Sequence, residues 1–163
     1  MQRGLGLVMR GQATENERRL AAGAVLILLL AIHIARPATA DAVTPDQAGR
    51  LIGVTWYWLG TLMNDGARFD PADPRRYTVQ FTSDGHVAVR ADCNRGAGTY
   101  TVSGQRITIS PLAVTRAACP PGSLDQRFLT NLGQAVIFSM RGDVLLLDLK
   151  FDSGTMRFSR HLP

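Results

Sequence analysis

Few residues in this chain could do chemistry. From Asp41 onward there is no Glu, one Lys (Lys150), two His (His86 and His161) and two Cys (Cys93 and Cys119). Catalysis needs groups of suitable pKa brought together. His161 stands next to the chain end, where chains fray, and His86 follows the turn residues Asp84-Gly85, a position that reads as solvated. Cys93 with His86 is the one conceivable nucleophile and base pair. Their odd separation puts them on opposite faces of a simple strand. No G-x-S-x-G elbow, H-E-x-x-H, P-loop or dinucleotide fingerprint appears, and the two cysteines are too far apart for a C-x-x-C redox pair. Asp84, Asp92 and Asn94 could together hold a cation such as calcium, but the calcium-loop pattern is absent and turn chemistry accounts for all three. The expectation is a protein with no catalytic residue, no cofactor and no metal.

The same residues read better as architecture. Cys93 and Cys119 can form a disulfide in an oxidising compartment. Such a crosslink would stabilise by roughly 3–4 kcal/mol on the chain-entropy account. The alternative is two buried thiols that never meet. Asn94 suits an Asx-type bond to the backbone of a turn spanning Cys93 to Gly98, and Thr115 can tie its own loop in the same way. Trp56 and Trp58 share one face of a strand and Tyr57 the other; two large aromatics on one face read as core.

These residues need elements to hold them. Thr44-Pro45-Asp46-Gln47 opens a short helix, with Thr44 as cap, Gln47 completing a capping box and Gly53 beyond its end. Thr55 to Leu59 has strand composition, Asn64-Asp65-Gly66 is a turn, and Phe69 to Arg76 reads as a loop. Strands are predicted at Tyr77–Phe81 and His86–Arg90 around the Asp84-Gly85 turn, and at Thr99–Val102 and Arg106–Ile109 around Ser103-Gly104. Pro111 stops the last of these. A helix then runs from a Ser123 cap, with Gln126 three residues on and Leu124, Phe128, Leu129 and Leu132 on one face, to Gly133. Ala135–Met140, Val144–Leu149 and Thr155–Arg160 close the chain as strands. Antiparallel hairpins with one packed helix make an α+β domain of about six to eight strands.

The N-terminal part differs from the rest. Arg18 and Arg19 precede an uncharged apolar run from Leu20 to Ile32, and Ala38-Thr39-Ala40 supplies small residues at a cleavage site. That order reads as a secretory signal peptide over residues 1–40. The run is short against the roughly 20 residues that span a bilayer; the alternative is an uncleaved anchor through residues 20–35. Residues 41–54 form the lead-in and 55–160 the domain. Five of the 18 basic residues and two of the 13 acidic ones precede Ala40, which leaves 13 and 11 from Asp41 onward. The net charge of +5 therefore reflects the leader, and no basic face wide enough for nucleic acid is expected. Arg75-Arg76, the one basic doublet of the exported part, reads as a solvated turn.

The order of motifs adds a family. Trp56, then Phe81-Thr82-Ser83-Asp84-Gly85, Cys93-Asn94, Gly98, Tyr100, Thr115, Cys119-Pro120, Phe128 and Leu132 together resemble the META domain family, also called HslJ-like heat-shock proteins, from about Thr55 to Arg160. Asp92 departs from that pattern, standing where the family has Gly, and Trp58 stands where it has an aliphatic residue. The resemblance implies a compact, partly barrel-like antiparallel sheet with one main helix. It also implies a place in the bacterial envelope, periplasmic or secreted, and a loose link to stress tolerance. It supplies no catalytic mechanism. The expected function is an exported, non-enzymatic binding or stabilising factor. A small-molecule or lipid carrier and an inhibitor of an extracellular enzyme are the alternatives. The partner would be an envelope protein or a small ligand and not a nucleic acid, and a monomer is expected.

Overall fold

Strict alternation of apolar and polar residues forces each strand to turn one face inward, and here those faces close on one another. The computed structural model describes residues 45–162. The expected leader, its expected cleavage site and the expected Thr44 cap lie outside these residues. After a short helix α1 (Pro45–Leu51) come β1 (Thr55–Met63), β2 (Arg68–Phe69), β3 (Tyr77–Phe81), β4 (His86–Ala91), β5 (Asn94–Ser103), β6 (Arg106–Ile109) and β7 (Ala113–Val114). Helix α2 (Asp125–Leu132) follows, then β8 (Ala135–Arg141), β9 (Val144–Leu149) and β10 (Gly154–Ser159).

The sheet runs β1-β3-β4-β5-β6-β8-β9-β10 and returns to β1, so eight antiparallel strands form a closed barrel. The short β2 and β7 lie beside β1 and β5. Closure removes the sheet edges, and a barrel of eight strands is narrow enough for side chains to fill. Trp56, Trp58, Val79, Phe81, Phe138, Leu145, Leu147, Met156 and Phe158 do so, all with 0% exposure.

Helices cover both ends. At the end where β1 begins, Leu51 of α1 is fully buried, the Trp56 Nε1–H donates to Leu51 O at 3.0 Å, and the Arg50 guanidinium donates to Gly142 O at 2.6 Å. Helix α2 packs at the opposite end, against β4 and β9. Its Phe128 ring lies 5.1 Å from Trp58 and 5.7 Å from Tyr77, and Leu132 is fully buried beside it.

Several expectations need correcting. Strand β5 begins at Asn94, so the span to Gly98 is strand and not a turn; the chain reverses over Asp92-Cys93 alone, with Ala91 opposite Asn94. Within Phe69–Arg76 the structure has the end of β2 and a 3₁₀ turn at Pro74–Arg76. A second 3₁₀ turn, Lys150–Asp152, leads into β10. Ser123 is not the N-cap of α2: Leu124 holds that position without a side-chain cap bond, although Ser123 Oγ accepts from Asp125 N–H at 3.3 Å and Gln126 Nε2 donates to the Asp125 carboxylate. Leu124 and Leu129 are half-buried, and the buried positions of α2 include the polar Asp125 and Asn131.

Candidate functional site

The motif residues converge where β5 begins, beside the N-terminus of α2. Cys93 and Cys119 form a disulfide, with Cα atoms 5.5 Å apart, inside the distance a crosslink allows. Asn94, next to it, is 1% exposed and contacts four residues of the stretch that leads into α2. Its Oδ1 accepts from Thr115 Oγ1 at 3.0 Å and Ala117 N–H at 2.8 Å. Its Nδ2 donates to Ala117 O at 3.2 Å and Asp125 Oδ2 at 3.1 Å, with Cys119 Sγ at 3.4 Å. An amide offers two donors and two acceptor positions, so Asn94 has none to spare. It bonds the segment that enters α2, and not its own turn. Thr115 likewise ties β5 and not its own loop: Arg95 N–H donates to Thr115 Oγ1 at 3.0 Å.

Asp92 sits on the other side of the disulfide turn. Its φ is 58°, in the left-handed region. That conformation favours glycine, and Asp tolerates it better than most residues. The position where the resembled family has Gly is therefore one where the backbone asks for it. The Asp92 side chain is buried and meets the Arg76 guanidinium in an ion pair. Arg76 is thus not a purely solvated member of its doublet. Leu124 N–H donates to Tyr77 Oη at 2.9 Å, and Tyr77 Oη lies 3.5 Å from both Asp92 Oδ2 and Ser123 Oγ. Ser123 Oγ donates to Asp125 Oδ1 at 3.2 Å. The buried Asp125 carboxylate also occupies the first turn of α2, where the helix dipole favours a negative charge.

Other motif residues serve elsewhere. Gly98 lets the chain beyond β6 cross β5 closely: a Cβ there would come within 2.8 Å of Leu112 Cδ2. Tyr100 Oη donates to Thr82 O at 2.8 Å, and its ring packs on Phe81. Trp56, Phe128 and Leu132 are core. Asp84 and Asp92 stand at opposite ends of the hairpin strand β4 and do not meet. Among the described residues no three His, Cys, Asp or Glu gather as a metal site. His86 is exposed, and its imidazole Nε2 lies 3.9 Å from Asp84 Oδ2.

Sequence reading did not bring Arg90 and Arg95 together on the outer face above this node. Arg90 and Arg95 stand directly opposite one another on β4 and β5. Both point outward, because the alternating Val89, Ala91 and Asn94 are buried. Arg116 is exposed on the segment that Asn94 and Thr115 hold down. Among the described residues none of these three arginines has a carboxylate at ion-pair distance. Like charges directly across a strand pair destabilise it. The register that exposes this pairing follows from a two-residue reversal at Asp92-Cys93, which the expected longer turn hid.

The META domain family model matches residues 51–161. No curated protein matches. Three solved structures share the fold. A protein from Burkholderia xenovorans is 23% identical, with a TM-score of 0.59 over 80% of this chain and 97% of its own. A DUF4847 family protein from Bacteroides vulgatus is 16% identical, with a TM-score of 0.51 over 68% of this chain and 94% of its own. A third protein is 18% identical, with a TM-score of 0.51 over 72% and 94%.

Proposed function

The chain belongs to the META domain family, and from that premise we propose that it is an exported, non-enzymatic domain that binds or stabilises another envelope component under stress. The observation that carries this reading is the arginine face over the crosslinked node. Arg90, Arg95 and Arg116 are held by β4, β5 and a disulfide-tied segment; Arg90 Nε donates to Asp92 O at 3.4 Å, and among the described residues none of the three has a carboxylate at ion-pair distance. Rigid cations of this kind suit an acidic surface on a partner. Asn94 spends its polar atoms internally, and Cys93 is bonded to Cys119, so the motif positions the face and does no chemistry. Export is supported by the Ala38-Thr39-Ala40 site and by a disulfide that suits an oxidising compartment. The same two features support a periplasmic or secreted location.

Inhibition of an extracellular enzyme is the second reading. The exposed stretch from Thr115 to Gly122, pinned at Cys119, favours it. A carrier has less support, because aromatic and aliphatic side chains fill the barrel interior.

The test is affinity capture from the native envelope, with the wild-type protein beside an Arg95→Glu, Arg116→Glu double variant, at low and high salt. A component held by the wild type, weakened by salt and lost by the variant is the expected result. Equal capture by both proteins would remove the arginine face from the function.

A further inference from the structure

The barrel has one thin seam. Its other junctions run along most of a strand, but β6 meets β8 at a single registered pair, Arg106 opposite Ile137, with Phe138 N–H donating to Gln105 O at 2.8 Å. Beyond that pair the two banks part. The opening is a groove of about 500 Å³ between the Ile109–Val114 segment and the C-terminal end of α2. Leu112, Val114 and Leu129 give it an apolar wall, and Lys150 is its one charged lining residue.

One bank is an open strand edge. Ser110 N–H donates to Thr99 O and Thr115 N–H to Arg95 O, both at 2.9 Å. In an antiparallel pair the residues that bond the partner alternate with residues that bond the other way. Ile109, opposite Tyr100, and Val114, opposite Gly96, therefore turn their N–H and C=O groups away from β5 and into the groove. Pro111 between them has no N–H to offer.

We propose that this seam takes an extended, apolar polypeptide segment as an added strand, with its free C-terminal carboxylate at Lys150. Strand addition to an exposed edge is a general mode of peptide recognition. An acyl chain would satisfy the apolar wall and leave the N–H and C=O groups of Ile109 and Val114 unpaired, which favours the peptide. The carboxylate complements Lys150, and no acidic residue lines the groove to oppose it. An added strand that follows the edge from Ile109 to Val114 would span about five or six residues, at roughly 3.3 Å each. This site is separate from the arginine face and stands or falls independently of it.

The experiment uses ¹⁵N-labelled protein recovered from the envelope and a mixture of octapeptides built from Val, Leu, Thr and Ser with free C-termini. Enriched peptides should shift the amides of Ile109, Leu112, Val114 and Gln134 and protect those of Ile109 and Val114 from exchange. Their C-terminal amides, and Lys150→Gln with the free acids, should bind about tenfold more weakly, as loss of one charged hydrogen bond implies. N-methylation along the pairing edge of the peptide should abolish binding, and along the other edge should leave it. Thr130→Trp, at an exposed position lining the groove, should block binding with an unchanged melting midpoint. No enriched peptide, equal loss from methylation of either edge, or displacement by dodecanoate at equal concentration would overturn the proposal. So would self-association of the protein through the same amides, which would make a second copy the occupant.

Discussion

Asn94 shows how one side chain can tie a motif together through its hydrogen bonds. Truncation would strand one side of the buried Asp125 carboxylate and remove the part-buried bonds to Ala117 N–H and the Thr115 hydroxyl. Asn94→Ala should therefore cost about 2–4 kcal/mol, measured by denaturant unfolding; a loss within about 0.5 kcal/mol would mean that water replaces these bonds. Asp84 gives a second test at this scale. The Thr82 hydroxyl, 2.5 Å away, holds its carboxyl below the ordinary 3.8, with the His86 N–H assisting and burial opposing. A carboxyl whose folded pKa is depressed stabilises the fold above the unfolded value, and that contribution disappears as pH falls through the folded value. Carbon-detected NMR titration should place the Asp84 midpoint below 3.8, and Thr82→Ala should move it upward.

Helix α2 is short, and packing holds it more than propensity does. Phe128 is its anchor, fully buried against Trp58, Tyr77 and Phe158. Phe128→Ala should cost roughly 3–5 kcal/mol; a loss below about 1 kcal/mol would contradict this packing. The disulfide acts at the same scale. It and Asn94 tie the same two segments, so the crosslink is partly redundant in the folded state. Alkylation of denatured, unreduced protein should find no free thiol. Reduction should lower the unfolding midpoint by no more than the ~3–4 kcal/mol chain-entropy figure implies, and the barrel should remain folded. Two alkylated cysteines would refute the bond.

The described residues combine a closed barrel with a helix at each end, and the proposed leader has its own test. N-terminal sequencing of native protein should begin at Asp41; a sequence that retains the apolar run would establish an anchor instead. The barrel also bears on where a partner can bind. Its inside is filled, which leaves the outer face and the thin seam. Those two surfaces differ in chemistry, one cationic and one apolar with an open strand edge. Salt should weaken binding to the first strongly and to the second by no more than the share that Lys150 contributes.

Much of this was legible in the sequence, because local rules govern it. Alternation in Tyr77–Phe81, His86–Arg90 and Val144–Leu149 determined which side chains face inward, since strand periodicity is a property of the backbone. Helical spacing placed Phe128 and Leu132 in the core, and Trp56 and Trp58 share a face wherever that strand goes. The two cysteines and Asn94 could be marked as architecture from their types and order. Tertiary structure decided what depends on residues far apart in the chain. Asn94 was free to bond its own turn until the segment from Thr115 to Asp125 arrived with a better set of partners. Arg90 and Arg95 became neighbours only once register set the reversal at Asp92-Cys93. Closure of β10 on β1, and the parting of β6 from β8, follow from how eight strands share one circumference, which no single strand encodes.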